Sequence, residues 1–518
     1  MLRRFESCTR HVSDSPDPER VRAAASRDSD ATVQSTLLGR VLGSPAVPLR
    51  VLGRGSLPSV YPVTELAVAS VAAAALATRK LLAALGHDRP DAVLVDRRLA
   101  SLWFGSSLRP QGWQPPPAWD PLAGDYRAAD GWVRLHTNAP AHRQAALRVL
   151  GVSAAREEVA AAVARHPAEE LEAAVHAAGG CAAALRTPQE WSRHEQGRAV
   201  AAEPLVAWSD GAPGGALTLS GPPGRPLAGL RVLDLTRVLA GPVATRYLAL
   251  LGAEVLRVDP PDWDEPAITP DVMAGKRSTR LDLRSAEGRA SFERLLAGAD
   301  LLVHGLRPGA LDGLGYGTAA RAGLRPGLLE VSLSAYGHTG PWAGRRGFDS
   351  LVQMSTGIAA EGMRLLGRDR PTPLPVQALD HATGWLLAAA AVDAVAERLR
   401  TGRTRHARLS LARTALALGP ADPRPTDDLA PEDEADLAPG LEHTGWGPAR
   451  RLRPPAHRPR RRRRRRPARP PPGAGPPGVA SVTKRTSGRF RPRGMDHVTS
   501  SSASGRRIVR CSRYDPEI

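Results

Sequence analysis

At 518 residues the chain is long enough for about two or three domains, each burying its own core. Its 42% apolar and 24% charged residues are ordinary for a globular protein. The net charge of +19 invites a nucleic-acid reading, but residues 451–518 hold 20 Lys/Arg against 3 Asp/Glu, leaving 51 basic and 49 acidic groups elsewhere. The basicity belongs to the tail, and the nearly neutral body excludes a nucleic-acid function carried by overall charge.

Cys8, Cys181 and Cys511 are far apart and show neither metal-ligand nor disulfide spacing, which fits a reducing cytoplasm. The first 30 residues lack a secretory apolar stretch. The apolar runs Leu66–Ala77 and Trp385–Val392 fall short of the roughly 20 residues of a membrane span. The expectation is a soluble cytoplasmic protein with no membrane partner and no metal.

Residues 1–45 are polar, unpatterned and expected to be disordered. Residues 46–208 come next, opening with an Ala/Leu-rich helix from Pro62 and a short strand, Ala92–Val95. A Pro/Trp-rich connector, Arg109–Pro121, leads to Gly124–Asp125–Tyr126 and Asp130–Gly131–Trp132–Val133, which read as a hairpin. Helical patterns fill 140–180, and Pro188 opens a further helix. Residues 209–228 form a Gly/Pro-rich linker.

From 229 to 419 strands and helices alternate. Leu230–Leu235, Glu254–Asp259, Leu281–Leu283, Leu301–Val303 and Leu329–Leu333 read as strands, with helices from Pro242, Ala286 and His381. That alternation predicts an α/β fold with an open parallel, Rossmann-like sheet, and a smaller α+β domain N-terminal to it. No GxGxxG follows the first strand, so Asp259 alone makes a weak case for a nicotinamide nucleotide.

Pro62–Leu66 and Pro375–Leu379 open two similar Ala-rich helices 313 residues apart, each followed by a strand; this register places Ala67 opposite Asp380. Residues 420–518 read as a low-complexity, Arg/Pro-rich disordered tail, although Thr444–Pro448 is coherent. From about His457, through Arg460–Arg466, the composition changes as it would in a frameshifted reading of GC-rich DNA. A basic nucleic-acid arm is the alternative.

Several segments occur in a recognisable order: Asp234–Leu235–Thr236–Arg237–Val238–Leu239–Ala240–Gly241–Pro242, Gly252–Val258, Gly275–Lys276–Arg277–Ser278, Leu306–Arg307–Pro308–Gly309, Ser334–Pro341, Gly347–Phe348–Asp349, then Asp380. Together they resemble family III (CaiB/BaiF) CoA-transferases, with the smaller domain permuted to the front. The resemblance implies transfer of CoA between carboxylic acids through an aspartyl-CoA intermediate. Asp380 would be the nucleophile, and acyl-CoA a substrate rather than a resident cofactor. It further implies an interlocked homodimer, and CoA contacts from Val238, Leu239, Ala240, Lys276, Arg277, Arg307, Tyr336 and Gly337.

Taken alone, Asp380 before a helix is an ordinary N-cap. The three loop cations could equally be solvated surface charge. Phe348 stands where the family's racemases carry a His, which disfavours an acyl-CoA racemase or isomerase. Pro260 replaces an Arg that many members place after the second strand, which leaves a phosphate contact there in doubt. A degenerate, non-catalytic CoA-binding protein is the remaining alternative.

Overall fold

The computed structural model describes residues 37–43, 47–87, 91–422 and 427–457. Its N-terminal half contains β1 (Leu49–Leu52), α1 (Val63–Ala84), β2 (Val93–Asp96), α2 (Arg97–Trp103) and β3 (Leu108–Pro110). The hairpin expected around Asp130–Gly131 is present: β4 (Gly124–Arg127) pairs antiparallel with β5 (Trp132–Leu135), which also pairs with β6 (Ala182–Ala184). The expected linker begins inside β7 (Ala207–Asp210).

The second half is the large sheet. Its strands are β8 (Arg231–Leu235), β9 (Glu254–Asp259), β10 (Arg277–Arg280), β11 (Leu301–His304), β12 (Leu329–Ser334) and β13 (Arg405–Ser410). Apolar runs such as Val232–Leu235 are buried on both faces, as strands covered by helices must be. The order is β10-β9-β8-β11-β12-β13-β7; every neighbouring pair is parallel except β13 and β7. The chain reverses direction across the sheet between β8 and β11, so the loops leaving those two strands open a crevice there. The expected α/β class and parallel sheet are present. One strand moves: Leu281–Leu283 lies just past β10, because the preceding residues Arg277–Arg280 align with Leu256–Asp259 of β9.

Helices α3 (Ala240–Leu250), α5 (Ala378–Thr401) and α6 (Leu411–Leu418) pack on this sheet, and α4 (Asp349–Ser355) packs on β5 and β6. Helix α1 packs along α5 in one core. At 22 residues α1 is longer than its apolar run suggested, and its length and composition would allow a membrane span; 67% of its apolar window is nevertheless buried by the protein.

The repeat reaches beyond those two helices. Each opens from the same tight turn: Val63 N–H donates to Tyr61 C=O and Ala378 N–H to Val376 C=O, at 2.8 and 2.7 Å. The intervening residues, Pro62 and Gln377, share φ/ψ near −75°/62°. Aligned on that turn, Glu65, not Ala67, takes the place of Asp380. Each helix leads to a strand (β2, β13) whose last residue caps the next helix: Asp96 accepts from Leu99 N–H, and Ser410 from Arg413 N–H. Each of these strands is parallel to one neighbour and antiparallel to another.

The antiparallel neighbours are exchanged between the halves. β7 of the N-terminal half pairs with β13, and β16 (Ala456–His457), from the C-terminal end, pairs with β2. β15 (Gly447–Arg451), paired with β14 (Glu442–Thr444), adds to β3 in the same way. Residues 427–457, expected to be part of a structureless tail, are therefore folded by pairing with strands from the N-terminal half. Leu37–Leu42, expected within a disordered segment, is helical. The arginine run and the rest of the basic tail lie outside the described residues.

Helices α3 and α5 meet at Gly384, where an added Cβ would sit 2.5 Å from the Ala240 carbonyl oxygen and 2.9 Å from Val243. Gly384→Val is expected to destabilise the fold by about 1–3 kcal/mol through overpacking. A lowered urea midpoint with an unchanged slope would register it.

Candidate active site

The crevice is built on a buried ion pair. Asp234, at the end of β8, accepts hydrogen bonds from the Thr236 backbone and hydroxyl, from Thr245 of α3, and from Lys276 Nζ at 3.3 Å. Lys276 also donates to the Pro242 carbonyl at 2.9 Å and to the Thr245 hydroxyl. Both charged side chains have no exposure, and burial pushes the Lys276 ammonium down to about 8. This answers one sequence expectation. Lys276 faces inward and clamps the β8–α3 turn, so it is not free to bind phosphate.

The clamped turn carries the chain's one described non-glycine residue in left-handed backbone, Val238 at φ 63°. For a β-branched residue this costs on the order of 1–3 kcal/mol. Its N–H is held at 2.7 Å by Glu265 Oε1, and Glu265 is itself fixed by Arg257 and the Trp263 indole. Leu239 caps α3, and Ala240 begins it. A Cβ on Gly241 would overlap Thr236, so only glycine lets the helix start this close to its strand.

Asp380 meets this turn. It is not an N-cap: α5 begins at Ala378, and Asp380 is its third residue. Its carboxylate accepts the Ala240 N–H at the start of α3, a position favouring negative charge. Its own N–H donates to the Asp349 carboxylate at 2.9 Å. Asp349 is fully buried and also receives Leu379 N–H and the Gln353 amide. Burial raises both carboxyls above the ordinary range, Asp349 to about 6; the Asp349 charge raises Asp380 further.

Two cavities open on Asp380, of about 630 and 620 Å³, sharing Val238, Trp263 and Phe348. The smaller is cationic. Arg237, Arg284, Arg307, Arg345 and Arg346 line it, and Asp380 is its one carboxylate among the described residues. Arg237 stacks on Trp263 at 4.7 Å, and its Nε is buried without a hydrogen bond, so an anion would complete it. The larger cavity has walls of Phe104, Trp119, Leu239, Phe348 and Val376, with His136 and His381 between them. Burial pushes both imidazoles down to about 3, which keeps them neutral.

The remaining sequence candidates divide. Val238, Leu239, Ala240 and Arg307 lie at the two cavities or, for Ala240, directly on Asp380. Arg277 does not: its exposed side chain faces Glu254 at 3.8 Å on the outer strands of the sheet. Tyr336 is fully buried, its hydroxyl bonded to Ser355 at 3.1 Å. Gly337 backs onto Val200 and Glu203, away from both cavities. Sequence reasoning gave no role to Arg237, Asp349 or Arg345. The first two stood inside quoted motifs, where a cation beside the turn and a carboxylate after Phe348 were visible signals.

The site thus combines a doubly wound α/β fold with two buried, neighbouring carboxyls, Asp349 and Asp380, at the crevice of the sheet. Residues 227–453 match CoA-transferase family III. A succinyl-CoA–D-citramalate CoA-transferase of Chloroflexus aurantiacus is 33% identical over 211 residues, 38% of this chain and 52% of that protein. The mouse succinyl-CoA:glutarate CoA-transferase is 32% identical, covering 35% and 44%. A probable fatty acyl-CoA transferase of Mycobacterium tuberculosis, Rv3272, is 34% identical over 35% of this chain and 49% of its own. Its crystal structure superposes with a TM-score of 0.34 over 38% of this chain and 57% of that one. The chain thus spans about half the length of the curated relatives it matches.

Two measurements probe the site's frame. Lys276→Met leaves Asp234 buried without its counter-charge and should cost about 3–5 kcal/mol in chemical denaturation. The raised Asp349 and Asp380 carboxyls bind protons more tightly folded than unfolded, so they favour the fold at low pH. That contribution fades as pH rises from about 4 through 6 and beyond. Asp349→Asn should flatten this decline when unfolding free energy is followed across that window.

Proposed function

We propose that the protein transfers CoA between carboxylic acids through a covalent aspartyl-CoA formed at Asp380. The observation that carries this reading is the position of Asp380 at the junction of a cationic cavity and an apolar-walled one. A thioester laid across the junction places the CoA phosphates among arginines and the acyl group in the other cavity.

An Asp380 carboxylate oxygen attacks the thioester carbonyl, the C–S bond breaks, and the CoA thiolate leaves behind a mixed anhydride. The thiolate then attacks the aspartyl carbonyl, expelling the first acid as carboxylate and giving the aspartyl-CoA thioester. The incoming carboxylate attacks the same carbonyl and releases the thiolate again. Attack of thiolate on the new acyl carbonyl restores Asp380 and yields the new acyl-CoA. Charge resides on oxygen or sulfur throughout, and the Ala240 N–H is aimed at the carboxyl that gains and loses it.

Phe104, Trp119 and His136 come from the N-terminal half and line the cavity shared with Asp380, so the site draws on both halves of one chain. A racemase would exchange the substrate's α-hydrogen with solvent deuterium. Transfer without deuterium uptake separates the two readings.

Asp380→Asn is expected to lower transfer by roughly a thousandfold or more. Incubation of the parent chain with acyl-CoA and hydroxylamine should modify a peptide containing Asp380; labelling confined to other peptides would sink the mechanism. Attack needs ionised Asp380, so kcat/KM should rise with pH through the titration of the pair. Asp349→Asn removes the like charge and should shift that rise to lower pH.

A further inference from the structure

The larger cavity is asymmetric in charge as well as in shape. Besides Asp380 its wall carries Asp120, Asp262, Asp264, Glu265 and Asp271, and no Lys or Arg among the described residues lines it. Three of these acids are paired with cations that do not line the cavity. Arg143 holds Asp120 at 3.2 Å, Arg257 holds Glu265 at 2.7 Å, and Arg246 holds Asp271 at 2.7 Å. None of these arginines lines the cavity. The histidines on the wall are neutral, as burial dictates, and give no positive charge either.

A second carboxylate on the acyl group would enter this space without a lining counter-ion, beside Asp120, Glu265 and Asp271, which are already paired, and Asp262 and Asp264, which add further negative charge. Leaving a charge desolvated and unpaired is among the costlier things a protein interior does. The aromatic and aliphatic walls, by contrast, gain from every methylene withdrawn from water. We infer that the acyl group this chain handles is an uncharged, largely apolar monocarboxylic one, not a dicarboxylic one of the succinyl or glutaryl kind. The inference rests on the placement of the acyl group proposed above.

A matched pair of thioesters tests it: hexanoyl-CoA and adipoyl-CoA have six acyl carbons each and differ by a terminal carboxylate. With the non-transferring Asp380→Asn chain, calorimetric titration should show hexanoyl-CoA binding at least about tenfold more tightly. Adipoyl-CoA binding as tightly or more tightly overturns the inference. Ala118→Arg, at an exposed rim position, supplies the missing cation and should bring the two affinities to within about threefold. An unchanged preference in that variant would equally count against charge as its cause. Because binding is read without turnover, selective binding with no Asp380 adduct in the parent chain would fault the covalent mechanism alone. An adduct formed equally from both thioesters would fault the specificity alone.

Discussion

Everything at the crevice hangs from the buried pair of Asp234 and Lys276. Two opposite charges without solvent contact are costly to desolvate, and they are retained here with hydroxyls and carbonyls filling out their coordination. The geometric result is a turn that cannot relax. Strand β8, the first turn of α3 and the segment entering β10 are tied to one point, and Val238 is held in a backbone conformation that its side chain disfavours. The rigid turn in turn aims the Ala240 N–H at Asp380. For the nucleophilic role proposed for Asp380, a donor fixed in advance contributes more than a contact made only after a substrate arrives.

The second constraint is the division of charge around one carboxylate. Arginines gather on loops at the β8–β11 opening, where the reversal of strand order leaves space for a large anionic group. Across Asp380 the wall changes to aromatic and aliphatic side chains contributed by both halves of the chain. In a partly enclosed site of low effective dielectric, that division of charge acts more strongly than the same charges would on an open surface. Like charge between Asp349 and Asp380 has the opposite sign of effect, favouring the protonated form of Asp380.

Much of this was legible along the chain, and the failures share a physical cause. The parallel sheet and the β8–α3 turn followed from ordered local segments whose spacing is fixed by the sheet itself. Lys276 was misread as a phosphate ligand because it sits among Gly275, Arg277 and Ser278, a polar run with the look of an exposed loop. Its partner, Asp234, is 42 positions away, and no local pattern reports that burial. Tyr336 and Gly337 were misassigned for the same reason, since the helix Glu195–Ala202 that covers them belongs to the other half of the chain. The register of the repeat slipped by two because matching Pro-Val pairs outweighed the turn that starts each helix. The tail was underestimated because strands such as β15 are polar and Pro-containing, and are ordered by partners more than 300 positions away.

The exchanged edge strands bear on how the molecule can be made. Val95 of β2 pairs with Ala456, 361 positions later. At ribosomal rates of about 5–20 residues/s, the N-terminal sheet waits roughly 20–70 s for its last strand. During that interval one side of β2 offers unpaired backbone groups to any passing chain. Synthesis of this protein therefore carries a built-in exposure period, and a nascent chain arrested before residue 456 keeps that edge open indefinitely.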